Sequence, residues 1–157
     1  MKAIILKASA SILTAALGIV CAASSATDDE RQTTDLIKVN MLAVEHAKKL
    51  IETGHAVMDS HGDWAQHQPS AEDKNEFIRR RGFGEYEQWH LGIDERRAAN
   101  TKARYKFPYG DFENVHRSAL LAVKSRAHQY GYADIESAAV QLLEMIHSEK
   151  KQATSAP

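Results

Sequence analysis

Imidazole is both a ready metal ligand and the one side chain that titrates near neutral pH. The chain holds eight histidines, and three of them share one polar stretch. His55, His61 and His67 follow one another with five residues between each, and Asp59 and Asp63 lie among them. Imidazole and carboxylate together suit zinc or a similar divalent ion. The spacing is not that of a helix-borne pair such as H-E-x-x-H, so a loop would have to gather the ligands. The same residues also suit a solvated polar loop, and both readings stand at this level.

A second group is Tyr109-Gly110-Asp111 followed by His116 and Arg117. With Asp111 as a helix N-cap, His116 falls in the second turn. The dipole there favours a neutral imidazole able to accept a proton. Arg117 would hold an anion, with His90 or Asp94 approaching from elsewhere. That is the equipment of a small acid/base enzyme. The plainer alternative has Asp111 capping, His116 hydrogen-bonded at the edge of the core, and Arg117 paired with a carboxylate. No serine sits in a nucleophile-elbow setting.

The third group is basic. From Arg96 to Tyr109 the chain has five cations (Arg96, Arg97, Lys102, Arg104, Lys106), no acid, and interleaved Tyr105, Phe107 and Tyr109. Arg104, Lys106 and Tyr109 are the candidates here for binding an anionic partner. The alternative is that the rings cover the core while the cationic heads face water. Gly82-Phe83-Gly84 lacks the third glycine of a dinucleotide-binding loop.

The elements that would position these groups read as helices. Apolar residues at helical spacing run from Asp35 to Thr53, closed by Gly54. The stretch His55 to Pro69 reads as a loop. Ser70 is a good N-cap with Glu72 and Asp73 behind it, and Gly82 a stop. A short helix is expected over Glu85 to Leu91. Asp94 to Tyr109 is a long structured loop, in which Pro108 restricts any strand to a sheet edge. Asp111 to Tyr130 and Asp134 to Ser148 carry strong apolar stripes, and the four residues between them predict an antiparallel helix hairpin. The expected fold is therefore all-α, a small helical bundle with that hairpin at its C-terminus and the long loop across it.

Residues 1–26 read as a secretory signal peptide. Lys2 and Lys7 precede a stretch, Ala8 to Ala26, without charge, and Ser24 and Ala26 sit at −3 and −1 of a cut. Val20 before Cys21 is too large for a lipoprotein signal. Cleavage after Ala26 leaves 131 residues with 18 basic and 21 acidic side chains, and removes Cys21, the only cysteine. The mature chain then has no disulfide and no thiol chemistry. It is expected to be periplasmic or secreted from a bacterium, with no membrane span left after cleavage. The reading divides it into a flexible 27–34, a single helical domain over 35–148 and a flexible tail, 149–157. Its mildly acidic balance argues against nucleic acid.

Trp89-His90-Leu91-Gly92-Ile93-Asp94 and Phe107-Pro108-Tyr109-Gly110-Asp111-Phe112, with Val115-His116-Arg117, resemble a family of short bacterial proteins that share these motifs over about His46 to Ile146. The resemblance implies no activity, cofactor or site residue. The function expected is thus an exported, non-enzymatic binding or interaction domain without a cofactor. It would take an envelope protein or a small anionic ligand over 94–109 and the start of the next helix. The alternative is a metal protein using the loop histidines, or the acid/base enzyme using His90, Asp111, His116 and Arg117.

Overall fold

The computed structural model describes residues 37–155. The signal peptide expected over residues 1–26 and the stretch 27–34 lie outside the described residues. In chain order the elements are β1 (Ile37–Val39), α1 (Met41–Glu52), β2 (Ala56–Val57), the single-turn α2 (Trp64–His67), α3 (Ala71–Glu87), β3 (His90–Asp94), a 3₁₀ turn (Lys102–Arg104), β4 (Tyr105–Pro108), β5 (Val115–His116), α4 (Arg117–Gln129) and α5 (Ala133–Ser155). Strands β1, β3 and β4 form an antiparallel sheet with β3 in the middle, and β2 pairs with β5 in parallel. The fold is mixed α/β, which corrects the all-α helical bundle expected from the sequence.

The correction has a local cause at each strand. Ile37 and Val39 continue the apolar stripe of α1, but Asn40 stops the helix from reaching them. Its Oδ1 accepts from the Leu42 and Ala43 amides at 3.2 and 3.4 Å, as an N-cap. Its Nδ2 donates to the carbonyls of Glu87 and His90 at 2.9 and 3.0 Å, and its own amide to Leu91 O at 2.9 Å. One buried amide therefore caps α1 and binds it to β3. The helix expected over 85–91 ends at Glu87, because His90–Asp94 finds ladder partners on both sides, Gly92 pairing with Val39 and with Lys106. Such partners are distant in sequence and leave no local signal.

Ser70 does cap α3, in a reciprocal box with Asp73. Gly82, at φ 79° and ψ 174°, leaves helical geometry as the stop expected there does, so α3 is two helical segments that meet at a kink. The C-terminal helix pair is present: α4 packs most extensively on α5 across the turn at Gly131 (φ 73°). The principal core lies between α1, α4 and α5 and the sheet, with Val44, Ile51, Leu91, Leu120, Ile135 and Leu142 all buried. A second, aromatic cluster joins α3 to the sheet: Phe77, Phe83, Tyr86, Tyr105 and Phe112.

Replacing Asn40 with Ala removes a cap and leaves two buried carbonyls without donors. Together these cost about 3 kcal/mol. Urea unfolding should show the midpoint falling with an unchanged slope.

Candidate functional site

The helix expected from Asp111 begins instead at Arg117. Asp111 spends one oxygen on the amides of Glu113 and Asn114 at 2.9 and 2.6 Å, an Asx turn. Val115 and His116 then pair with Ala56 and Val57, so the chain stays extended until His116. His116 is the N-cap residue of α4, but its side chain caps nothing. The cap comes from Asp59. Its Oδ1 accepts from the Ser118 amide at 2.7 Å, and its Oδ2 accepts from Ser118 Oγ at 2.5 Å and faces His116 Nδ1 at 2.8 Å. A carboxylate at a helix start also meets the positive end of the dipole.

Arg117 donates to the Asp59 carbonyl at 3.2 Å, while its Nε is buried without a hydrogen-bond partner. On the far side of the imidazole, Asp111 Oδ2 lies 3.1 Å from Nε2. That pair is off hydrogen-bond alignment, so Nε2 has no hydrogen bond. Both the His116 and Asp59 side chains are about 95% buried or more. Burial pushes the Asp59 carboxyl up, but the hydroxyl and amide of Ser118 and the imidazole outweigh it and hold the group below its ordinary value. At Asp111 burial is likewise outweighed by the Asn114 amide and His116, and this carboxyl too is held low. Trp64 and His67 of α2 rest on the imidazole, with ring centroids at 5.7 and 4.9 Å.

The other sequence candidates are dispersed. His90 is 3% exposed, packs on Tyr86 and Tyr105, and donates from Nδ1 to Tyr86 O at 2.9 Å. Burial lowers its pKa to about 4. Asp94 is buried under a two-pronged contact from Arg96 (2.8 and 3.0 Å), which holds its carboxyl below the ordinary range. Neither contacts His116 among the interactions of the described residues. Tyr109 is fully buried, its hydroxyl donating to Gln88 O at 2.6 Å and lying 2.9 Å from His46 Nδ1, so it has no surface for a ligand. Arg104 is turned back onto the Arg97 carbonyl and Lys102 onto Asn75. His55 and His61 are exposed. Among the described residues no three His, Asp or Glu side chains gather to hold a metal ion.

Of the basic run, Lys106 lines a cavity. A groove of about 480 Å³ runs between β4 and α4. Phe107, Pro108, Val123 and Tyr132 form its apolar floor and sides, and Trp64 and Gln68 close one wall. Its cations are Lys106 and Arg126, the latter 5.5 Å over the Tyr130 ring, and no carboxylate lines it. Sequence reasoning found Lys106 but missed Trp64, Arg126 and Asp59's role. Arg126 and Tyr130 are four apart on one helix, a legible pair. That Asp59 meets His116 depends on β2 pairing with β5 and has no sequence signal. No family model, curated protein or solved structure matches the chain. Among the described residues no helix is long and apolar enough to cross a membrane.

Two outcomes follow for stability. The unfolded chain binds a proton at His90 near pH 6.5 but the folded chain only near 4. The stability this group supports is therefore present above about pH 6.5. It is lost as pH falls towards 4, by about 3 kcal/mol. Urea unfolding at pH 7 and 4.5 should show this loss, and His90→Phe should remove most of it. Asp59→Ala leaves the start of α4 uncapped and His116 and Ser118 without their acceptor. It should lower stability by about 3 kcal/mol at pH 7, measured the same way.

Proposed function

We propose that this protein is a non-enzymatic binding domain whose groove between β4 and α4 takes a small amphipathic anion. One observation carries the reading: an apolar cleft that presents two cationic heads and no carboxylate. Ligand sites of this kind pair hydrophobic walls with a few placed polar groups. An aromatic or aliphatic body would lie against Phe107, Pro108, Tyr132 and Trp64. Its acidic head would meet Arg126 and Lys106 as charge-assisted hydrogen bonds. The residues 1–26 argue for capture in the bacterial envelope.

The acid/base alternative is less well supported. No His, Asp, Glu or Ser lines the groove, and His116 is 2% exposed behind it. Nothing about the loop histidines favours a metal over a solvated loop.

The test uses 2-naphthoate, with uncharged 2-naphthol as its control, followed by calorimetry. Arg126→Ala should weaken naphthoate about ten-fold or more and leave naphthol within about two-fold, since a hydrogen bond to a charged group carries about 1.5–3 kcal/mol. Equal binding of both compounds, or no effect of Arg126→Ala and Lys106→Ala together, would remove the reading.

A further inference from the structure

We propose that the groove selects planar aromatic acids over saturated ones, and that Phe107, seated over Gly92, is the residue that sets this selectivity. The proposal rests on the groove reading above and names the body of its ligand.

Phe107 stands in β4 with φ 60°, a region that a bulky residue seldom occupies. In a regular strand successive side chains point to opposite faces. Here Lys106, Phe107 and Pro108 follow one another and all line the groove. The ladder pairs Lys106 with Gly92 and Pro108 with His90, so the strand keeps its place on β3 while the backbone turns at Phe107 between them. The turn brings to the groove a ring that an extended backbone would have sent to the other face.

A residue held in such a conformation persists only where its surroundings over-determine it. Gly92 supplies the seat. A Cβ at Gly92 would stand 2.8 Å from Phe107 Cδ2 and 3.1 Å from Ile135 Cδ1. The first distance is well inside carbon–carbon contact, and the second is tight. The groove is lined by Phe107 and not by Gly92, so the ring lies between this backbone and the cavity. A side chain at Gly92 would drive it inwards.

The ring belongs to a connected row. Phe107 meets Tyr132 edge-on, with centroids 5.6 Å apart at 76°, and Tyr132 meets Tyr130 at 6.4 Å. The row ends on a cation, Arg126, 5.5 Å over the Tyr130 ring. Tyr130 is 48% exposed, and Phe107 and Tyr132 are half-buried, so the core leaves part of each ring to a ligand. Trp64, also half-buried, lines the groove with them. A flat body laid along the row would bring its acid to Arg126.

An aromatic body gains from these rings what a saturated one does not. A ring has a negative face and a positive edge, so edge-to-face and offset pairs hold together beyond the area they bury. A saturated bicycle of the same skeleton buries at least as much apolar surface but lacks that polarity. Area alone makes the saturated acid bind at least as well, whereas ring recognition makes it bind worse.

The test compares 2-naphthoate with decahydro-2-naphthoate, its saturated counterpart, by calorimetry on the full chain, with far-UV circular dichroism to check each variant's fold. The wild type should prefer 2-naphthoate about five-fold. Phe107→Leu keeps an apolar side chain and should bring the two acids within about two-fold of each other. Tyr132→Leu, outside the sheet, should do the same and takes its place if Phe107→Leu does not fold. Gly92→Ala should weaken both acids about ten-fold, as the ring is pushed into the cavity. Equal or tighter binding of the saturated acid to the wild type overturns the selectivity and leaves the groove reading standing. A preference that survives in a folded Phe107→Leu, or in Tyr132→Leu where it serves instead, overturns the role of Phe107. Unchanged binding in Gly92→Ala overturns the seat assigned to its ring. Failure of both acids to bind the wild type removes the groove reading, and this proposal with it.

Discussion

The carboxylate of Asp59 reaches the start of α4 from 57 and 59 residues away in the chain, at His116 and Ser118 respectively. A helix start has amides with no partner of their own, and buried ones must find acceptors. Neither His116 nor the residues before it supply one. Asp59 does, and the same carboxylate also meets the His116 imidazole and binds the Ser118 hydroxyl. The placement of α4, the parallel pairing of β2 with β5 and the wall of the groove all depend on this one acid. Its cost of burial is met by several donors at once, the condition under which a buried charge is stable.

Asn40 ties another helix start into the fold by similar means. Its amide caps α1 and reaches the backbone on either side of the turn into β3. Each of the two side chains ties a helix start to a distant part of the chain and is satisfied on several sides. Between them lies a core that is apolar apart from a few buried, hydrogen-bonded polar groups. Tyr109, Asp94 and His90, which looked like reagents, are parts of that interior.

The groove lies where this frame leaves α4 and β4 apart. Its character follows from which side chains of the basic run are already engaged. Arg96 and Arg97 face Asp94, Arg104 bonds a carbonyl and Lys102 bonds Asn75, while Lys106 lines the cavity. Arg126 joins it from α4. A run that reads as a broad cationic surface in the sequence thus contributes one head, Lys106, to the cleft.

The sequence by itself determined the elements whose signals are local: the Ser70 cap with Asp73, the stripes of α4 and α5, the turn at Gly131 between them, and the confinement of Pro108 to a sheet edge. It also carried the basic run and the residue types at His116 and Asp111. Tertiary structure alone decided the strands, because Ile37–Val39, Ala56–Val57 and His90–Asp94 are short and become strands only against partners far along the chain. It decided the start of α4, since Asp111 closes an Asx turn and β5 must pair before the helix begins. It also decided that Asp59, which the sequence places among the loop histidines, meets His116. Periodicity and capping act over a few residues and can be read in order, whereas a buried carboxylate finds its donors through space.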